Sequence, residues 1–445
     1  MLDVAEIAEN QLHDPIYLKS VTELGDDHPL VTTRDVCSST GIKLVSGGTR
    51  FNSSLYSKLL QHKLAPPLDQ CLAIENSVTN ASLVAELPAF FTQDGWLQPM
   101  QSAMTDCGIF EKVLAKVPLH PTISFKLAVM REKRPELFRH SIYLTLICIY
   151  AGVRCELDSG KLVQLATAAL LHDIGILHID PALLERSHTL SDSERRHLYA
   201  HPLTAWIIIK ECPDYSQEVL DAVLQHHERL DGSGYPRGLE GDIIGLFGRI
   251  LAIGEIIASK HGDEDSALGK MRLEAILKLN SRRYGHKFIG YFDVFYHSDA
   301  EVPPCTDACK QSIQDQLHCA LSAISGWEIL WEKYYQGYRT FNGINKRIQS
   351  LKIEMMDAGL TTLGVNENMR GIEESPRACF EMQVLLDEVL WQLHGVLDEI
   401  KRRWQHIDKE SPESCATHIL NWMGETERAI KPCRLVHPQS LSRNK

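Results

Sequence analysis

The sequence predicts a mainly α protein: an all-helical central domain, a small α/β module before it and a helical extension after it. Three observations predict this. From Pro121 onward, apolar residues recur at helical spacing almost without interruption. Strand-like runs and glycine turns are confined to the segment before it. The 445 residues exceed what one compact core holds, so the chain divides, as 1–125, 126–300 and 301–445.

In the first segment, Val31 to Val36 is strand- or cap-like. Ile42 to Val45, Ser46-Gly47-Gly48 and Thr49 to Phe51 read as a short hairpin with a glycine turn. Asn52-Ser53-Ser54 caps a helix from Leu55 to His62, and Pro66-Pro67 breaks it. The segment carries no catalytic constellation, and its role reads as sensory, regulatory or plain packing.

In the second segment, Pro135 suits a first helical position, with Glu136 in the first turn and His140 one turn further on the same face. Ile142 to Tyr150 is the apolar body of that helix, and Gly152 is its stop. Lys161 to Gly175 is a second apolar helix, ending in His172-Asp173-Ile174-Gly175. Ser191 to Glu194 is a capping-box signature ahead of a helix that carries His201-Pro202. Val219 to His227 ends in a double histidine and a glycine-rich turn. Arg249 to Ser259 is apolar except for Glu255. A charged loop, His261 to Asp265, and an amphipathic helix, Ala267 to Arg283, follow.

In the third segment, 307–358 and 376–430 read as long helices separated by a loop from Thr361 to Ser375. Met382, Leu386, Val389, Leu393, Val396 and Ile400 step by four and three, a heptad-like seam. Packing within the chain is the first reading of that seam, and a homodimer through these helices is the alternative. The tail from Pro432 is polar.

Composition narrows the function. The net charge of −12 argues against general nucleic-acid binding, which needs a basic field. The longest apolar run, Ile142 to Val153, is too short to span a bilayer. The chain starts with acidic residues where a signal peptide would be basic. The expectation is a cytoplasmic protein away from the membrane, with its 12 cysteines reduced. Cys305 and Cys309 near His318 have half a zinc-site spacing without a second half, and read as helix-surface or core thiols.

The chemistry sits between Ala168 and Glu255. His172, Asp173, His201, His226 and His227 fall on apolar-patterned segments, where unpaired imidazole and free charge are costly. A metal site explains them together. Adjacent helical residues point about 100° apart, so each adjacent pair serves one site best at a helix end. The set mixes imidazole and carboxylate without thiolate, which suits Fe or Mn over Zn. Bridging carboxylates allow two or three ions at close range, an arrangement suited to phosphoryl hydrolysis.

His172-Asp173-Ile174-Gly175, His201-Pro202 and the run His226-His227-Glu228-Arg229-Leu230-Asp231-Gly232-Ser233-Gly234-Tyr235-Pro236-Arg237-Gly238-Leu239 resemble the HD-GYP subgroup of the HD-domain phosphohydrolases. The resemblance covers roughly residues 130–297. It implies an all-helical HD-type domain with two or three divalent ions and a phosphodiesterase that linearises cyclic di-GMP and continues to GMP in some members. By position it implies His140, His172, Asp173, His201, His226 and His227 as ligands, with Asp173 bridging. Glu136 matches the extra carboxylate of trinuclear members. The loop of Asp231, Gly232, Gly234, Tyr235 and Pro236 borders the site and, in the family, is implicated in contacts with diguanylate cyclase (GGDEF) domains.

Three departures stand out. The family's lysine after the HD-motif glycine is Ile176 here, which removes a charge-assisted phosphate contact. The late aspartate ligand aligns with Glu255, one methylene longer. Beyond it, the family's second aspartate and Arg-Pro-Tyr stretch are replaced by Ala258-Ser259-Lys260-His261-Gly262. The sequence therefore predicts a cyclic di-GMP phosphodiesterase, with two alternatives: a catalytically weak or inactive relative that binds nucleotide or partners, and an HD phosphohydrolase acting on another phosphoester. On this reading, Ile176→Lys raises activity by restoring the phosphate contact.

Overall fold

The computed structural model describes residues 15–93, 97–106, 108–185, 188, 190–260, 267–297, 301–302, 304–335, 339–361, 375–404 and 413–431. They form two compact units. One takes in the described residues of Met1–His261 and Gly290–Phe295, the other those of Gly262–Ile289 and Tyr296–Leu441.

The first unit opens with helix α1, Pro15–Asp27. Four short strands follow: β1 Leu30–Thr32, β2 Val36–Cys37, β3 Lys43–Val45 and β4 Leu72–Ile74. β1 pairs antiparallel with β4, and β2 with β3. The expected hairpin is therefore paired differently: Lys43–Val45 runs against Val36–Cys37, not against Thr49 to Phe51. The turn is tied outward instead. Gly47 N–H donates to the Asp35 carboxylate at 2.8 Å and Gly48 N–H to the Thr32 carbonyl at 2.7 Å. The helix expected from Leu55 shrinks to a 3₁₀ turn, Ser53–Leu55, and α2, Tyr56–Leu59, with Asn52 capping it as predicted.

After α3 Asn80–Gln93, α4 Leu97–Ser102 and α5 Ile109–Leu114 come the long helices. α6 is Pro121–Lys133 and α7 is Pro135–Arg154, with Pro135 in the first turn as predicted. α7 is buried continuously from Ser141 to Gly152, which makes it the central helix of the unit. It runs past Gly152, where a Cβ would sit 2.7 Å from Leu162 Cδ2; the glycine lets the next helix approach and does not stop this one.

α8, Ser159–Leu171, is capped by Asp158. A 3₁₀ turn, Ile174–His178, follows directly after Asp173. α9 Asp192–Tyr199 begins with the predicted capping box of Ser191 and Glu194. α10 His201–Lys210, α11 Gln217–Gln225 (capped by Ser216) and α12 Leu246–Lys260 complete the set. The stretch Ser159–His178 is long and apolar enough to cross a membrane, and most of it is buried inside the fold.

The second unit holds α13 Ala267–Leu279, α14 Ser281–Tyr284, α15 His286–Ile289, α16 Asp307–Leu330, α17 Arg339–Asp357, α18 Pro376–Trp404 and α19 Glu413–Ile430. The whole seam from Met382 to Ile400 is buried in this unit's own core with Ile313, Leu317 and Ile344. It is consumed by packing within the chain, so self-association would need another surface. Cys305 and Cys379, 74 positions apart, form a disulfide, which corrects the expectation of reduced thiols throughout. The two cysteines meet because one precedes α16 and the other lies in the first turn of α18, two helices packed on each other. That bond also uses up one thiol of the supposed half zinc site. The loops expected at His261 to Asp265 and beyond Thr361, and the tail from Pro432, lie outside the described residues.

Candidate metal centre

The last carbonyls of a helix lack partners within it. Three histidines use them. His172 caps α8 and its Nδ1 bonds the Ala169 carbonyl at 2.8 Å. His226 caps α11 and bonds Val223 O at 2.6 Å. His201, just past α9, bonds Leu198 O at 2.8 Å. A carbonyl only accepts, so each Nδ1 carries a proton. Each ring therefore turns Nε2 toward the centre, the arrangement that orients metal-binding imidazoles.

The candidate ligand atoms form two groups, each within 4.8 Å: Asp173, His201, His226 and His227; and His140, His172 and Glu255. Asp173 stands between them. Its Oδ1 lies 3.2 Å from His201 Nε2 and 3.7 Å from His226 Nε2, while Oδ2 lies 3.4 Å from His172 Nε2. Glu255 Oε2 reaches His140 Nε2 at 2.8 Å and His172 Nε2 at 3.5 Å, so the longer side chain still delivers its carboxylate. Donors about 2.1 Å from one ion lie roughly 3–4 Å apart, so this spacing fits a bound cation.

A polarity test points the same way. His201 Nε2 and His226 Nε2 face each other at 3.3 Å beside Asp173 Oδ1. With their protons on Nδ1, these atoms are all acceptors, and facing buried acceptors need a cation between them. Asp173 Oδ1 and His172 Nε2 are deeply buried without a hydrogen-bond partner. Charge follows the same geometry. Burial, reinforced by the neighbouring His172 and His201, pushes the His226 imidazole down to about 4 against the pull of Asp173. Burial also pushes His227 down, so both are neutral, the form that binds metal. Burial opposes charge on His172, but Asp173 and then Glu255 outweigh it and lift the ring to about 10. Burial works against the Asp173 and Glu255 carboxylates too, yet His172 and His140 hold them well below the usual range.

Of the other predicted site residues, Glu136 is exposed in the first turn of α7 and belongs to neither group. Ile176 is fully enclosed in the 3₁₀ turn. Ala258 is buried in α12, and His261 and Gly262 lie outside the described residues. Gly175 permits the turn to touch α10: a Cβ there would fall 2.3 Å from His201 O.

The Asp231–Pro236 loop folds onto the centre. Asp231 Oδ1 accepts from Ser233 N–H at 3.0 Å, and Tyr235 N–H donates to His227 O at 3.1 Å. The Tyr235 ring stacks on His227 at 4.6 Å on one side and on Tyr199 at 4.1 Å on the other. Glu228, buried, accepts from Arg237 N–H and Leu239 N–H, each at 2.8 Å, and so ties the far side of the loop. Glu228 and Tyr199 escaped the sequence reading. A carboxylate directly after two histidines was the available signal for the first; nothing local marked the second.

An HD-domain family pattern matches residues 126–284. The match spans the helices that carry every residue of the two donor groups, from His140 to Glu255. Residues 126–284 form an HD domain. The chain also resembles curated proteins. It is 26% identical over 220 residues to a cyclic di-GMP phosphodiesterase of Pseudomonas aeruginosa, covering 48% of this chain and 53% of that one. It is 33% identical over 129 residues to a 3'3'-cGAMP-specific phosphodiesterase of Vibrio cholerae, covering 29% and 28%. It is 36% identical over 120 residues to a cyclic di-GMP phosphodiesterase response regulator of Xanthomonas campestris, covering 26% and 32%. The chain thus spans about half the length of the first and less of the others.

Proposed function

We propose that the protein is a metal-dependent phosphodiesterase that opens cyclic di-GMP to linear pGpG and carries part of it on to GMP. The observation that carries this reading is the Asp173 carboxylate, whose two oxygens each face a different donor group. Relatives named for cyclic di-GMP and for cGAMP hydrolysis support the substrate class. The donor set favours Fe or Mn, two ions in the grouped ligands, with a third only if Glu136 turns inward. When bound, the ions would supply Lewis acidity at the phosphate and acidify a water for attack on phosphorus.

The chain's own residues set the geometry. Asp173 fixes the separation of the two groups, and the Nδ1 bonds of His172, His201 and His226 fix their rings. Tyr235 covers His227 and limits water on that side. A contact with GGDEF domains would use the exposed edge of the loop at Ser233 and Arg237, because Tyr235 is committed to the centre. The cytoplasm is the compartment this reading assigns.

Ile176 favours a second reading, a slow or inactive nucleotide-binding relative, because no cation stands at that position. Purified full-length protein, loaded with Fe(II) or Mn(II), should yield linear pGpG from cyclic di-GMP by chromatography, with 3'3'-cGAMP as the competing substrate. Absence of a linear product with either metal and either nucleotide refutes the enzyme reading.

A further inference from the structure

Four buried polar side chains outside the metal centre meet in the first unit. Tyr17 lies on α1, Asp69 in the 3₁₀ turn Leu68–Gln70, Lys126 on α6 and His178 at the end of the 3₁₀ turn that follows Asp173. None is more than 7% exposed. We propose that Tyr17, Asp69 and Lys126 are positioning residues: they clamp His178, hold the Ile174–His178 turn in register, and so make the N-terminal module a working part of the metal centre.

The contacts interlock. Lys126 Nζ pairs with Asp69 Oδ2 at 2.8 Å. The Tyr17 hydroxyl donates to the other carboxylate oxygen, Asp69 Oδ1. The same ammonium sits over the Tyr17 ring, 3.7 Å from its centroid, and lies 3.4 Å from His178 Nε2. An ammonium has only hydrogens to offer, so His178 Nε2 accepts. The imidazole is stacked on Tyr17, with centroids 4.6 Å apart. Just beyond, Arg134 donates to the Ile179 carbonyl at 2.8 Å and fixes the exit of the turn.

The chemistry of this cluster suits positioning better than bulk packing. A buried ion pair adds little over apolar side chains of the same volume, whereas its directional contacts favour one register. The turn it grips is short. Asp173 opens it and His178 closes it, with Ile174, Gly175, Ile176 and Leu177 all buried between them. A shift at His178 has no slack to be absorbed in before Asp173. Contacts made directly to metal ligands weaken metal binding by about 10–100-fold when lost; this cluster acts through the turn, so the low end of that range is expected.

The inference rests on reading Asp173 as a metal ligand, and its test needs no nucleotide, so it stands or falls separately from the substrate assignment. In the full-length protein, Tyr17→Leu removes both the ring and the hydroxyl, while Tyr17→Phe keeps the ring. Mn(II) affinity by equilibrium dialysis should fall about tenfold in Tyr17→Leu and stay within about twofold of parent in Tyr17→Phe. Amide hydrogen exchange over Ile174–Ile179 should rise about tenfold in Tyr17→Leu, with Gln217–Gln225 at its parent rate. If Tyr17→Leu does not fold, the double variant Asp69→Leu/Lys126→Met, which leaves neither charge unpaired, is read by the same two measurements. Parent-level Mn(II) affinity in the folded variant overturns the proposal. So does exchange that is unchanged at Ile174–Ile179 or raised equally in Gln217–Gln225.

Discussion

A single methyl group at Gly234 tests how the loop serves the centre. A Cβ built there lies 2.4 Å from Glu228 Cα, 2.5 Å from Arg229 N and 2.5 Å from His227 O. All three are backbone atoms of the segment that carries the candidate ligand His227, so no side chain can swing aside. Ordinary contact needs about 3.5–4 Å, so the loop or the ligand segment must move by about 1 Å. Overpacking of this kind costs roughly 1–3 kcal/mol. The movement breaks the Tyr235 N–H bond to His227 O and parts the two stacked rings. Gly241 is the control. It has a positive φ of 55° but nothing within 4 Å of its Cβ. Gly241→Ala therefore carries only backbone strain, about 1–2 kcal/mol. Thermal unfolding of the apo proteins should show both losses, at roughly 2–4 °C per kcal/mol. Metal analysis after loading with Mn(II) should separate them: Gly234→Ala binds less metal, and Gly241→Ala binds as much as parent. Equal, full metal content in both would refute the claim that the loop supports His227.

Three further outcomes follow. Asp173→Ala removes the carboxylate that faces both donor groups, and metal analysis should show loss from both; retention of full metal content sinks the bridging assignment. Ile176→Lys, expected from the sequence to restore a phosphate contact, should instead lower the thermal midpoint and leave turnover no higher, because Ile176 is fully enclosed and a lysine there would bury a charge. A gain in turnover would show that the side chain reaches the substrate. Finally, burial and then the Asp69 carboxylate raise the Tyr17 phenol well above its ordinary 10.0. Below about pH 10 the phenol is neutral in both folded and unfolded chains, so it imposes no pH dependence there. Above that, the unfolded chain loses a proton the folded one keeps, and stability falls by about 1.4 kcal/mol per pH unit. Alkaline unfolding of Tyr17→Phe should lack that slope; an unchanged slope refutes the assignment.

The helices around the centre were legible because their caps and periodicity are local. Pro135, Ser191 with Glu194, and the double histidine each announced an element boundary that the structure keeps. The residues of the two donor groups were legible for a related reason: polar residues on apolar segments stand out. What escaped depends on contacts far apart in sequence. β3 pairs with Val36–Cys37, and Asp35 just before that strand holds the Gly47 N–H of the turn, a contact no hairpin rule contains. Cys305 bonds Cys379 across 74 positions. Glu136 has the spacing of a ligand, but the rotation of α7 leaves it exposed. Ile176 reads as a missing contact in the sequence and as a filled core position in the fold.

The bonds from His172, His201 and His226 to helix-end carbonyls have an evolutionary consequence. Each ring is aimed by the main chain three residues earlier, at Ala169, Leu198 and Val223. The aim is encoded in backbone position and not in any second side chain. Ala169, Leu198 and Val223 are themselves buried, so their side chains serve the core while their carbonyls aim the three rings. The tolerance of the centre to mutation is set by the integrity of three helix termini, so substitutions that fray them would disturb it from residues that touch no ligand side chain.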